Sequence, residues 1–349
     1  MGIWYTTREA VKAALDYKET ARSDAQVDAA IESASRAVEG LTHRRFYPWT
    51  GTRYFDWPDR RYSTPWRLWL DNNEVASIST LVAGGLTIAP SDYFLRRSDG
   101  LDEPPYTSIE IDLDSSAAFT SGPTFQRAVA VTGVFIGCPV DEVPAGALAE
   151  ALDATETAVD VTDAAAVGVG HILRVGDERM IVTGRQMLTT GQTLQSALAD
   201  RINDVTVVVT NGAAFSVGEV ILLDGERMWI VDIAGNNLIV KRQWDGSVLA
   251  SHTGSTIYAS RTVTVERGAL GTTAATHDTA AAIVRHKPPA LVTEMADAEA
   301  INTLLQKRAG YARTVGSGDN EREAGGRGLR QVREDVRTTY GRKARTAAV

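Results

Sequence analysis

Apolar positions along the chain recur first with a helical period, then with a strand period, and at the end with a helical period again. Val11, Ala14 and Leu15 form one side of a short helix after Thr6, and Glu9 three residues on completes a capping-box signature. Ser23 and Gln26 repeat the signature. Val27, Ile31, Ala34, Val38 and Leu41 then recur at spacings of four, three, four and three, predicting a second helix through to His43. Its stripe is narrow and rich in Ala, which suits close packing on another helix of the same chain or of another subunit. Phe46 to Trp69 is crowded with aromatic rings interleaved with Arg44, Arg45, Arg53, Arg60, Arg61 and Arg67. That mixture would suit a stacking surface for single-stranded nucleic acid. The alternation of Tyr54, Phe55 and Trp57, and of Trp66, Leu68 and Leu70, favours strand faces with Arg stems packed on rings, and a subunit interface shares the same physics. Short strand-like runs separated by turn residues follow from Val75 to Gly137. Pro288 and Pro289 open a third helix, Ala290 to Arg308, with Leu291, Met295, Ala298, Ile301 or Asn302, and Leu305 on one side. A fourth is predicted from Leu329 to Tyr340, where Arg330, Arg333 and Arg337 share a face with Arg327 one turn before.

Between these regimes residues 138–287 change in composition to Ala, Val, Thr, Gly and Asp, and read as a β-rich insertion. The insertion repeats itself. Val159, Val161, Thr162, Glu178, Arg179 and Met180 match Val207, Val209, Thr210, Glu226, Arg227 and Met228 at a constant offset, and each copy carries a two-residue hairpin turn, Gly176-Asp177 or Asp224-Gly225. Val240, Arg242, Gly246, Ala250 and His252 reappear later as Val265, Arg267, Gly271, Ala275 and His277. The order is first half, first half, second half, second half, so one module (about 206–258) is read as inserted inside another (about 158–185 plus 262–285). The strand after Arg261 should then pair with strands before Gln186.

Charge and chemistry narrow the function. The formal charge is −8 overall, but 11 basic and 5 acidic residues from Lys307 onward make that end +6 and leave −14 for the rest. An acidic body argues against a protein that grips nucleic acid or anionic lipid along its length. There is no apolar run long enough for a membrane helix and no signal peptide at Met1–Lys12, and a single Cys, Cys138, rules out an internal disulfide. His252 and His277 recur in register without the Cys or paired carboxylates of a metal or acid–base site, and a His closing a turn explains the recurrence. Glu178-Arg179 and Glu226-Arg227 read as solvated surface pairs. No catalytic constellation, metal site or cofactor is expected. The basic end is either a solvated arm or a segment that orders against an acidic partner.

Three segments together resemble the head-tail connector, or adaptor, proteins of long-tailed bacteriophages. They are the helical pair Tyr5–Ala14 and Ser23–Arg45 running into Phe46-Tyr47, the strand Val129–Gly137, and the helix Pro289–Arg308 leading to Gly310-Tyr311-Ala312-Arg313. In that family the strand is followed almost at once by the helix, whereas here about 150 residues intervene. The resemblance implies an α+β fold: a helical adaptor core with a small β-sheet (1–137 and 288–312), an inserted all-β region of two nested small modules (138–287), and a basic C-terminal arm (313–349). It implies a non-enzymatic virion protein at the head-tail interface, assembled in the host cytoplasm. Copies would form a ring of twelve below the portal, lining the channel through which packaged DNA passes without sequence-specific binding. Val27, Ile31, Ala34, Val38, Leu41, Leu291, Met295 and Leu305 would then lie on ring-interface helices. Arg327, Arg330, Arg333 and Arg337 would contact the portal protein, and other neck or tail-completion proteins would dock below. Two rival readings stand beside it: a tail or fibre component that uses Phe215, Trp229, Trp244 and Tyr258 of the β modules to bind host or carbohydrate, and a hydrolase with an unrecognised site.

Overall fold

The computed structural model describes residues 2–15, 21–58, 64–308, 314–315, 322–323 and 327–342. Strands dominate it, at about 35% of the chain against 23% helix. The expected helical core with a small sheet is therefore corrected. Three large antiparallel sheets of ten, four and three strands form the body, and four helices, α1 (Arg8–Leu15), α2 (Ala21–Thr42), α3 (Ala290–Arg308) and α4 (Arg327–Tyr340), pack on them. The physical reason lies in residues 49–135. They fold as two sheets with a core of their own, built from Leu68, Leu70, Val75, Leu81, Ile109, Val129, Val131 and Phe135, so the helices have no separate core to organise.

The helices follow their sequence pattern only in part. In α2 the predicted stripe is buried, with Val27, Ile31 and Val38 at 0% exposure. The helix begins at Ala21, which places Ser23 inside it rather than at its cap. The α1 cap is Thr7, whose Oγ1 accepts the Ala10 N–H at 3.2 Å, while Thr6 donates its hydroxyl to Asp297 and Glu9 accepts the distant Val169 N–H at 2.8 Å. In α3 the buried positions are Val292, Met295, Ala296, Glu299, Ala300 and Leu304, a stripe rotated by about one residue from the expected one. Glu299 is drawn inward because Arg333 of α4 donates to both of its oxygens.

The ten-stranded sheet runs through both modules of the insertion. The long strands Glu178–Thr193 and Thr256–Glu266 pair antiparallel from Ile181–Glu266 to Thr193–Thr256, with three bulges along the way. Thr262–Thr264 also pairs with Ala158–Asp160, so the strand after Arg261 joins strands before Gln186 across the whole inner module, as the nested order of the repeats requires. Each repeat forms a hairpin, Ile172–Val175 with Glu178–Ile181 and Val220–Leu223 with Glu226–Trp229. The first turn residue is left-handed in both, Gly176 at φ 56° and Asp224 at φ 51°. The inner module has its own core around Val207, Phe215, Ile221, Met228, Leu238 and Ile257. The outer module shares one with the helices: Val11, Val27, Ile31, Ala300 and Leu304 pack with Leu148, Val159, Leu173, Met180, Val263 and Ile283. The two ends of the insertion lie side by side, since Glu142 is opposite His286 and the Lys287 N–H donates to the Asp141 carbonyl at 2.8 Å.

Gly271 marks where the insertion touches the four-stranded sheet. Its φ is 80°, and a Cβ there would stand 1.8 Å from the Thr50 carbonyl oxygen. Gly271→Ala is expected to destabilise the protein by about 1–3 kcal/mol in urea unfolding, because the clash is with backbone and not with a flexible side chain. Gly40→Ala, on the open side of α2 where a Cβ meets nothing within 4 Å, is expected to stabilise it by about 0.5–1 kcal/mol.

Candidate functional site

The residues that recur between the two modules converge on a pair of buried ion clusters. In the inner module Glu226 is 0% exposed and accepts five hydrogen bonds: from Arg242 Nε at 2.9 Å and Nη2 at 2.6 Å, from the backbone N–H of Gln243 and Ala250 at 3.1 Å each, and from His252 Nε2 at 3.0 Å. In the outer module Glu178 accepts the same five, from Arg267 Nε at 2.7 Å and Nη2 at 2.9 Å, Gly268 N–H at 2.9 Å, Ala275 N–H at 3.0 Å and His277 Nε2 at 2.8 Å. These glutamates are not the solvated surface pairs the sequence suggested. Their neighbours in sequence, Arg179 and Arg227, point elsewhere, and Arg179 Nη1 donates to Thr50 Oγ1 of the four-stranded sheet at 2.6 Å. Each cluster's arginine also donates to carbonyls of the loop that closes its module: Arg242 to Ala199 at 2.7 Å, Arg267 to Asp153 and Glu156 at 2.7 Å each.

The two copies differ at one point. His252 Nδ1 reaches Asp224 Oδ2 at 2.7 Å, so both ring nitrogens face carboxylates. In the outer module the turn reads Gly176-Asp177 instead of Asp224-Gly225, which places Gly176 where Asp224 stands, and a Cβ there would lie 3.9 Å from His277 Cε1. The order of two turn residues thus decides whether the histidine has a second acid.

Burial opposes ionisation of Glu226, yet Arg242, His252 and the two backbone donors outweigh it and hold the carboxyl at about 2; Glu178, with Arg267 in place of Arg242, is also held at about 2. With five donors on two oxygens, neither glutamate has a lone pair directed at a substrate, so these are structural clasps and not acid–base groups. His171 is pushed down to about 3 by burial and by nearby Arg285, and accepts the Gly168 N–H at 2.9 Å. Burial pushes the Cys138 thiol up to about 12, which makes it a poor nucleophile. Among the described residues no group of three or more His, Cys, Asp or Glu is placed to hold a metal ion, and no helix is long and apolar enough to cross a membrane.

The predicted interface residues are placed differently from expectation. Val27, Ile31, Ala34, Val38 and Met295 are buried within the chain's own cores and have no face left for a neighbouring subunit. Leu41 and Leu291 are half-buried, and Leu305 is 37% exposed. The basic helix α4 folds back on its own chain. Val336 is 0% exposed, Tyr340 packs edge-on against Phe46 at 5.5 Å, and Arg333 pairs with Glu299, so Arg333 is not free for a partner. Arg342 closes the return, donating to His43 and Asp71 carbonyls and to Glu74 Oε2 at 2.8 Å. Arg330 is exposed, and Arg337 pairs with Glu334 of its own helix. The Arg327 side chain lies outside the described residues.

Of the aromatic residues in the inner module, Phe215 is buried, Tyr258 is exposed on the sheet, and Trp229 and Trp244 stack at 5.1 Å with Lys241 over Trp244. This stack opens on a cleft of about 650 Å³ between the inner module and α1, where Glu9 and Arg185 also lie. Comparison with protein-family models, curated proteins and solved structures returns no match.

The clasps set a pH dependence. A carboxyl held at about 2 in the fold, against 4.5 ordinarily, contributes stability that is complete above about pH 5 and is lost as pH falls toward 2. Urea unfolding between pH 7 and pH 2 is expected to show this loss, and Glu226→Gln to reduce it by the share of one clasp, leaving that of Glu178. Glu178→Ala and Glu226→Ala each leave an arginine buried without its anion, with an expected cost of about 3–5 kcal/mol at pH 7.

Proposed function

We propose that this chain is a structural subunit of the head-tail connector of a tailed bacteriophage, joining the DNA-filled head to the tail in a ring below the portal. The observation that carries the reading is the convergence of the three resembling segments in one hydrophobic cluster. Tyr5, Val38, Phe46 and Tyr47 from the start, Ile136 and Cys138 from the strand end, and Val292, Met295 and Ala296 from α3 pack together although up to about 290 residues separate them. The insertion's adjacent ends leave that arrangement intact. With the α2 stripe buried inside the chain, the ring contacts must come from other surfaces, and the portal contact from the exposed Arg330 and Arg337 side of α4 together with Arg327.

A second reading, a tail or fibre component that binds host carbohydrate, draws on the Trp229–Trp244 stack beside its cleft. It predicts glycan-array binding that is lost in Trp244→Ala.

Light scattering and negative-stain imaging of the full chain, alone and with the portal protein of the same genome, separate the readings. A closed ring of about twelve copies, formed alone or on the portal, is the expected result. A monomer that ignores the portal overturns it. Arg330→Ala with Arg337→Ala is expected to weaken portal capture at least tenfold while changing the unfolding midpoint little, since both side chains lie on the solvent side of α4.

A further inference from the structure

A polar cleft of about 350 Å³ opens where the chain leaves α2, between residues 43–53 and the Asn72–Glu74 turn. Its charges do not balance locally. Of the two acids lining it, Glu39 accepts from the Tyr5 hydroxyl at 2.8 Å and from Arg36 Nη1 at 2.7 Å, and Glu74 pairs with Arg44 at 3.2 Å and Arg342 at 2.8 Å. Arg45 and Arg53 line the same cleft and have no carboxylate partner among the described residues.

Arg53 is held in place. Its guanidinium carbon sits 4.1 Å from the centre of the Trp49 ring and 5.9 Å from that of Phe135, which fixes the group by stacking on aromatic faces. Its Nε is buried against these rings, which leaves the Nη end of the half-buried side chain to face the cleft. Arg45 is exposed at the mouth. Burial, and after it the Arg45 charge, shifts Arg53 below the ordinary guanidinium range, as expected for two cations facing one space with no anion between them.

We propose that this cleft is a phosphate-binding site, in which Arg53 supplies a guanidinium preset by its stacking on Trp49 and Phe135 and Arg45 closes over the anion from the solvent side. Two guanidinium groups match a phosphate in both charge and number of N–H donors, and a single carboxylate occupies only one such fork. The volume admits a phosphate with its substituent, so the group can be free inorganic phosphate or a phosphodiester of a nucleic-acid backbone. The site does not depend on ring formation, and its test is independent of the connector reading.

The test is isothermal titration at low salt with inorganic phosphate and, separately, with a 20-base-pair duplex, on the wild type, Arg45→Gln, Arg53→Gln and the control Arg308→Gln. Binding of either probe that weakens at least tenfold in both cleft variants and is unchanged in Arg308→Gln is the expected result. If the duplex shows this pattern, the phosphate belongs to nucleic acid; if inorganic phosphate alone does, it is a free small anion. Absence of binding by both probes, or binding that the Arg45→Gln variant leaves unchanged, overturns the proposal. Arg45 is exposed, so its replacement keeps the test decisive even if Arg53→Gln unfolds.

Discussion

A buried carboxylate that has to find a cation is the constraint on which the insertion depends. Glu178 and Glu226 sit at the start of a strand, each enclosed, and each meets an arginine and a histidine that lie later in the sequence. For Glu178 the partners lie 89 and 99 residues downstream, beyond the whole inner module. An ion left unpaired in such a place costs several kcal/mol, so the outer module is complete only when its second half returns. The clasp therefore acts on topology as well as on stability: it favours the one arrangement in which the nested halves meet.

The same logic ties the helices to the sheets. α3 follows the insertion and α2 precedes it, and both lay residues into one core with Leu173, Met180 and Val263. α4 then covers the other side through Val336 and Tyr340 and is latched by Arg333 on Glu299 and Arg342 on Glu74. Two cations of the basic end, which composition alone presents as an arm, are thus paired with acids of the chain's own body.

What the sequence discloses depends on the range of the interaction. The stripe Val27-Ile31-Ala34-Val38 is legible because the period of a helix is local, and the nested order of the modules is legible because repetition needs no knowledge of contacts. The clasps were hidden by proximity: Glu178 stands beside Arg179 in the chain, and Arg267 far away is its true partner. A signal was present, since Glu, Arg and His all recur in register, a coincidence that a surface pair has no reason to keep. The rotation of α3 was illegible for a related reason. A glutamate counts as polar in any pattern, and only the arrival of Arg333 turns Glu299 inward. The balance of sheet over helix was missed because the two clearest periodic signals happened to be helical, while the short strands between Trp49 and Phe135 each carry too few residues to stand out.

The paired strands Glu178–Thr193 and Thr256–Glu266 carry the chain into the inner module and out again side by side. Mechanical tension that draws this module away from the body would travel along two backbones loaded in the same direction. Neither strand slides past the other, so the ladder between them is not sheared. The inner module hangs from the protein by a doubled tether, and the ladders a tug on it would shear are those that anchor the two strands in the outer module, Glu178–Ile181 on Ile172–Val175 and Thr262–Thr264 on Ala158–Asp160.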